Sequence, residues 1–199
     1  MKDENRQKRH EAISEAAYTL LARYGYSGTS MLRVAKAAKA SNETMYRWYG
    51  DKDGLFRQMV SDNADETRRI LETALADQTD PLIALRRFAP IFLRMLLGRR
   101  AVLLNRVAAS DPTGKLGAAV TVGGRHVVLP LVEKVIRQIS EGSGYTSLEA
   151  TQWFMALLIG DLQMRRIIGD IAMPTEEEIA ARTEHAVNGL LRMLGKASM

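Results

Sequence analysis

The spacing of the apolar residues constrains this chain most, because they recur every three to four positions along almost its whole length. That period places them on one face of an α-helix and does not fit the alternation of a half-buried strand. Proline and glycine fall mainly between these periodic stretches, where they start or end helices. The sequence shows no hairpin signal and no repeat. It therefore predicts an all-α fold of about nine helices.

The N-terminal part predicts four successive helices. The first is expected over residues 6–24, the second from a Thr or Ser cap at 29–30, the third over 42–49 and the fourth over 52–76. Serine and threonine favour such starts because their side-chain oxygens accept hydrogen bonds from first-turn N–H groups. Ser41 is the corresponding cap of the third helix.

Proline predicts the helix starts in the rest of the chain, because it fits the first helical position. The candidate starts are Asp80-Pro81, Asp111-Pro112 and Met173-Pro174. Gly123-Gly124 is a weak point inside one of the resulting helices. The helix expected after Asp111-Pro112 covers residues 112–140. The helix after the Gly142–Gly144 turn covers 147–168, and the helix after Met173-Pro174 covers 174–194.

Composition excludes several classes of protein. The chain is 46% hydrophobic and 26% charged, as folded globular domains are. It has no cysteine, which excludes disulfides and thiolate metal sites. Its apolar runs are shorter than the ~20 residues of a membrane span, and the charged N-terminus lacks a signal-peptide core. We therefore expect a cytoplasmic protein with no membrane partner, no metal and no cofactor.

The charge is concentrated at the N-terminal end. The whole chain carries a formal charge of +5, and residues 1–60 hold eleven Lys and Arg against seven Asp and Glu, a net +4. A basic first third and a nearly neutral remainder indicate a nucleic-acid partner for the first third.

Residues 29–49 have the anatomy of a helix-turn-helix. A short helix, the turn Lys39–Ser41 and a second short helix hold two helices at a steep angle, so that the second can enter a major groove. Met45 and Tyr49, four residues apart, are expected to anchor the second helix on the core. Its opposite face offers hydrogen-bonding groups and one cation to DNA. That face comprises Asn42, Glu43, Tyr46 and Arg47.

The order and spacing of five segments resemble the TetR/AcrR family of bacterial one-component transcriptional regulators. The segments are Gly25–Ser30, Val34-Ala35, Ala38–Ser41, Thr44–Tyr49 and Asp51–Phe56. The resemblance implies an N-terminal three-helix helix-turn-helix DNA-binding domain, residues 1–53. It further implies a C-terminal helical bundle for ligand binding and dimerisation, residues 54–199. A homodimer of this kind would be a ligand-responsive regulator, a repressor released from a palindromic DNA operator by a small amphipathic or aromatic effector.

The resemblance also assigns DNA contacts by position. Recognition-helix side chains would contact bases and phosphates, Lys52 would hold a phosphate, and the start of the second helix would contact the neighbouring backbone. The residues predicted to contact DNA are Ser30, Arg33, Lys39, Ser41, Asn42, Glu43, Thr44, Tyr46, Arg47, Trp48 and Lys52.

Several of these positions have a second interpretation. Lys39 stands where the family usually has glycine, and it either contacts a phosphate or marks a turn that avoids positive φ. Glu43 either accepts from a cytosine amino group or supports the first turn of its helix. Tyr46 and Trp48 alternatively pack on the domain itself. A basic N-terminal arm either follows DNA or is solvated; it comprises Lys2, Arg6, Lys8 and Arg9.

The C-terminal two-thirds offers candidates for a ligand pocket and a dimer interface. The pocket candidates mix bulky and polar side chains within apolar helices, although core packing is the simpler interpretation for most of them and a surface position is the alternative for His126. They are Phe88, Phe92, Met95, Asn105, His126, Trp153 and Met164. A helix that is apolar nearly all round needs burial on two sides, and a symmetric partner supplies the second. The interface candidates are Trp153, Leu157, Ile179, Ala186, Val187, Leu190 and Leu194.

Two other functions have less support in the sequence. An enzyme is disfavoured, because the three histidines lack metal-ligand spacing and the sequence has no nucleophile-elbow motif. A non-specific DNA-organising protein fits the basic first third. A confined recognition helix is, however, more than bulk phosphate binding requires.

Overall fold

The structure, a computed structural model, describes residues 2–196, with all side chains except those of Lys2 and Asp3. Within this range it contains eleven α-helices, one π-helical segment and no strand, which confirms the all-α prediction. No helix in residues 2–196 combines the length and apolar character needed to cross a bilayer. The helices are α1 Lys2–Tyr24, α2 Met31–Ala37, α3 Asn42–Tyr49, α4 Lys52–Ala76, α5 Pro81–Leu97, α6 Arg99–Ala109, α7 Lys115–Val120, α8 His126–Ser140, α9 Ser147–Ile159, α10 Leu162–Ile168 and α11 Glu176–Met193.

The predicted bounds of α3 and α4 are confirmed, and α2 and α3 begin at the expected caps. The Ser30 side chain accepts from the Arg33 N–H at 3.3 Å. Helix α1 begins earlier than predicted, at Lys2, so that the three basic residues 6, 8 and 9 lie on a helix and not on an extended arm. The side chain of Lys2 lies outside the described residues.

Two proline-based helix starts are wrong. Asp111-Pro112 forms a turn in which the Asp111 carboxylate accepts from the Leu116 N–H at 2.9 Å, and α7 begins only at Lys115. Helix α11 begins two residues after Pro174. Thr175 caps it, through reciprocal hydrogen bonds with Glu178.

Two of the boundaries that raise the number of helices above the expected nine lie inside predicted helices. A π-helical segment, Thr121–Arg125, separates α7 from α8 at the glycine pair that the sequence marked as weak. Gly160, at φ +50°, ends α9. A Cβ there would lie 2.7 Å from a guanidinium nitrogen of Arg182, whose Nε donates to the Leu158 carbonyl at 3.0 Å. Only glycine satisfies both conditions without rearrangement.

The chain forms two compact units. The first comprises the described residues up to Asp62 together with Leu103–Gly123. Its core combines residues of the first four helices with Leu104 of α6 and Leu116 of α7. Residues distant in sequence thus complete the core around the helix-turn-helix.

The second unit comprises Asn63–Val102 together with the described residues from Gly124 onward. Helices α5, α8, α9 and α11 pack together there around the fully buried Phe88, Phe154 and Leu190. The domain boundary predicted between residues 53 and 54 stays a prediction.

Candidate nucleic-acid interface

Helix α3 has a buried face and an exposed face, as its sequence spacing indicates. Met45 is fully buried and Tyr49 is 8% exposed, so these two residues fix the helix on the core. Asn42 and Arg47 are exposed, and Tyr46 is 57% exposed. The exposed face thus offers an amide, a phenol and a guanidinium, which between them can bond to base edges and phosphates.

The turn between α2 and α3 keeps the left-handed backbone that glycine normally supplies. Lys39 has φ +52°, its N–H donates to the Lys36 carbonyl at 3.3 Å, and the Ala40 N–H donates to the Ala35 carbonyl at 2.9 Å. These two bonds form a Schellman motif with Lys39 at the glycine position. The interpretation that this turn avoids positive φ is therefore wrong. The lysine side chain is exposed.

Ser41 and Thr44 hold the start of α3, and of these two residues Ser41 is exposed. The Ser41 side chain accepts from the Thr44 N–H at 3.1 Å, and the two hydroxyl oxygens are 2.9 Å apart. Thr44 is only 5% exposed. Its predicted DNA contact is thus not accessible, because the residue lies on the inner side of the first helical turn.

Glu43 pairs with the main cation of the recognition face. An Arg47 nitrogen lies 3.3 Å from a Glu43 carboxylate oxygen, with 62% and 83% of the two side chains exposed. A pair this exposed is worth well under ~1 kcal/mol. Arg47 can therefore exchange this carboxylate for a phosphate or a base at little cost.

Trp48 is partly buried and carries a cation on its ring. The Arg6 guanidinium lies 5.6 Å from the centre of the Trp48 ring, and the ring meets Tyr49 edge-on at 6.3 Å. This geometry supports the packing interpretation of Trp48. Its face positions an arginine of α1.

Lys52 is already bound within the first unit. Its ammonium donates to the Tyr26 carbonyl at 2.9 Å and lies 4.0 Å from the centre of the Tyr26 ring. The Tyr26 hydroxyl in turn donates to Asp53. Burial, and then this hydrogen bond, raise the pKa of Tyr26 above its ordinary value, so the phenol stays protonated.

The start of α2 is ordered by similar local bonds. Arg33 donates to the Gly28 carbonyl at 2.6 Å, and its guanidinium lies 5.0 Å from the Tyr24 ring centre. Ser30 remains exposed while it caps α2. Ser30 and Arg33 are thus both accessible for the predicted DNA contacts, although Arg33 must release the Gly28 carbonyl to reach DNA.

A histidine to which the sequence assigns no role, His10, links three helices of the first unit. His10 of α1 lies 2.8 Å from the Tyr49 hydroxyl and 2.7 Å from an Asp62 carboxylate oxygen. The hydrogen bond to Asp62 raises the pKa of His10, against the opposing effect of burial. Burial raises the pKa of Tyr49 to about 12. The available signal was position, since His10 lies three residues before the buried Ile13 on the same helix face.

The candidate pocket residues do not form one group. Phe88 and Phe92 are buried and stack at 4.9 Å in the core of the second unit. Met95 and Trp153 are partly buried. His126 and Met164 are exposed, so their predicted place in a pocket is not supported, because they lie on the outer sides of α8 and α10. Asn105 belongs to the first unit.

The candidate dimer interface needs correction as well. Five candidates, four on α11 and one directly after it, are at most 3% exposed within the chain itself: Ile179, Ala186, Val187, Leu190 and Leu194. Helix α11 packs against α5 and α9, so its apolar face belongs to the chain's own core. Trp153 and Leu157 of α9 are partly exposed.

Comparison with known proteins agrees with the geometry of the first unit. Residues 13–59 match the sequence model of a family described as bacterial regulatory proteins, tetR family. The HTH-type transcriptional regulator HbdR of Aromatoleum sp. (strain CIB) is 30% identical over 76 residues, which is 38% of this chain and only 33% of HbdR. YvkB of Bacillus subtilis (strain 168), an uncharacterised HTH-type regulator, is 25% identical over 91% of this chain and 96% of its own length.

Solved structures extend the similarity to the whole chain. A TetR transcriptional regulator from Agrobacterium tumefaciens is 27% identical, covers 93% of both chains and has a TM-score of 0.69. SmeT, solved with triclosan, has a TM-score of 0.75 over 93% of this chain and 90% of its own; at 19% identity it shows the fold alone. In sequence over residues 13–59 and in fold over most of its length, the chain is therefore similar to bacterial regulatory proteins of the TetR family.

Proposed function

We propose that the protein recognises a specific DNA operator through the exposed face of α3. The observation that carries this proposal is the division of α3 into an anchored face and a free face. Met45 and Tyr49 hold the helix, while Asn42, Tyr46 and Arg47 project into solvent. A helix that is already ordered loses little conformational entropy on binding, so its contacts contribute to discrimination between DNA sequences.

The proposed interface divides into base contacts and phosphate contacts. Asn42 and Arg47 are suited to base edges, because an amide can pair with adenine and a guanidinium with guanine. Ser30, Arg33 and Lys39 border α3 and serve the phosphates. Lys52 joins them if its ammonium exchanges the Tyr26 carbonyl for a phosphate.

Selection of bound duplexes from a random pool tests this proposal. We expect enrichment of one short palindrome. With that duplex, Asn42→Ala should weaken binding about 10-fold or more and relax preference at one base pair of each half-site. Arg47→Ala should also weaken binding, and Arg57→Ala, a matched loss of an exposed arginine on α4, is its control and should leave the affinity unchanged. A pool that yields no enriched sequence would refute specific recognition.

We also propose that the regulator is a homodimer that pairs through outward faces of α9 and α11. On α9 the exposed residues Leu148, Gln152 and Ala156 recur at four-residue spacing, and on α11 Ala181 and His185 do the same. Spacing of this kind forms one stripe along each helix. Two subunits joined this way would present two recognition helices to the two halves of a palindrome.

Sedimentation velocity tests the dimer. Ala156→Arg places a charge in the middle of the α9 stripe and should convert dimers to monomers. Ala180→Arg introduces the same change on α11, one position away from the stripe, and should leave the dimer intact. A wild-type chain that sediments as a monomer would refute this part of the proposal.

We propose a small-molecule effector for the second unit. The SmeT–triclosan structure shows that a protein of this fold can hold an aromatic ligand. In this chain, the buried hydroxyls of Thr67 and Thr151 have no hydrogen-bond partner within the part that the structure describes. An unsatisfied buried hydroxyl costs ~1–3 kcal/mol, which a polar ligand atom would recover. Effector binding would weaken operator binding, as in a repressor.

A pair of isosteric variants tests the effector site. Thr67→Val and Thr151→Val remove the unpaired hydroxyls at constant shape, so the free protein should become more stable. A screen of amphipathic and aromatic compounds, read by release of the selected duplex, should identify an effector whose potency falls in one of these variants. Unchanged potency in both would refute the assignment.

A further inference from the structure

An arginine-lined cleft lies beside the recognition helix in the first unit. It has a volume of about 590 Å³ and is lined by Asn5, Arg6, Arg9, Arg47 and Trp48. Arg6 and Arg9 are three residues apart on α1 and therefore share one helix face. Arg47 reaches the cleft from α3. Three guanidinium groups from two helices thus surround one space.

The cleft has no internal counter-charge among the residues whose side chains the structure describes. None of its lining residues is acidic. Glu43, outside the cleft, pairs with one of the lining arginines: its carboxylate lies 3.3 Å from Arg47. Three like charges around a single space favour an anion, because it relieves their mutual repulsion.

The aromatic side chain of the cleft indicates which part of an anionic ligand would bind. Arg6 lies over the Trp48 ring, 5.6 Å from its centre, and the ring meets Tyr49 edge-on at 6.3 Å. With its face occupied by a cation, the indole is not a platform for a nucleobase. The lining therefore suits a phosphate and its sugar better than a stacked free nucleotide.

We propose that this cleft binds a backbone phosphate of the DNA that flanks the segment read by α3, an inference that rests on the proposed function. Arg47 belongs both to the cleft and to the exposed face of α3, so the two surfaces are continuous. The α1 arginines extend the interface outward along the backbone. The cleft contributes affinity and not base preference.

Duplexes of two lengths test the inference. One is trimmed to the selected palindrome, and the other carries about six further base pairs on each side. For the double variant Arg6→Gln/Arg9→Gln we expect roughly tenfold weaker binding to the long duplex and little change on the short one. The slope of log affinity against log salt should fall by about one per occupied cleft. The bases selected from the random pool should stay the same.

Lys115→Gln is the control, because Lys115 is an exposed cation of the same unit that does not line the cleft. If the arginine variant behaves like this control on both duplexes, the inference is overturned while the proposed function stands. Calorimetry with a nucleoside monophosphate forms the second arm. Arginine-dependent binding of the free nucleotide without any length effect on DNA would overturn the assignment to DNA. Failure of the wild-type chain to select any duplex would refute both.

Discussion

Replacing Lys39 with glycine should stabilise the first unit and weaken DNA binding at the same time. Lys39 has φ +52° in the turn between α2 and α3, a region that costs an L-residue about 1–2 kcal/mol. Glycine avoids this cost but loses about 0.5–1 kcal/mol more conformational entropy on folding than alanine does. The difference makes Lys39→Gly more stable than Lys39→Ala by roughly 0.5–1 kcal/mol.

The pair of variants separates backbone strain from side-chain contact. Both remove the same exposed ammonium, so a lost phosphate contact should weaken operator binding equally and lower the salt slope by about one per contact. Thermal unfolding followed by circular dichroism should place the glycine variant about 1–4 °C above the alanine variant. A glycine variant no more stable than the alanine variant would refute the strain argument. Wild-type salt dependence in both would refute the phosphate contact.

Three further substitutions test the packing of the two units. Gly54→Ala would place its Cβ 1.8 Å from the Tyr49 carbonyl oxygen, so we expect a loss of about 3 kcal/mol in chemical denaturation together with lost operator binding. Gly117→Ala is its control, because no atom lies within 4 Å of the added methyl group and a helix interior gains about 0.5–1 kcal/mol. The wild type should melt at a higher temperature than His10→Gln, and the difference should be largest below about pH 6.5. Because folding raises the pKa of His10, this difference should shrink as the pH rises through the folded-state pKa. An advantage that grows with pH would contradict this sign. Phe88→Ala removes a fully buried ring and should cost about 3–5 kcal/mol in the second unit, measured by the same denaturation; a loss below about 1 kcal/mol would show that the ring is not part of a close-packed core.

The features that can be predicted from the sequence are those determined by local interactions. The starts of α2 and α3 depend on Ser30 and Ser41, whose capping bonds reach only three residues ahead. The anchored face of α3 follows from the four-residue spacing of Met45 and Tyr49. Such features are visible in a short window, and the structure confirms them.

Features that depend on distant residues are not predicted. An apolar stripe on α11 looks the same in sequence whether it meets α5 of the same chain or a partner, and the structure buries Val187 and Leu190 within the chain. The link from His10 to Asp62 joins residues 52 positions apart. At Asp111 the rule that proline starts a helix fails, because the Asp111 carboxylate accepts from the Leu116 N–H in a turn and does not cap a helix at Pro112.

The core of the first unit has a consequence for how such regulators could exchange specificity. Leu104, Val107 and Leu116 are at most 4% exposed and belong to the same hydrophobic core as the helix-turn-helix. A recombination event that transferred only residues 1–62 would leave behind these three side chains, which complete the core. New operator preferences should therefore arise more readily by substitution on the free face of α3 than by exchange of a contiguous N-terminal block.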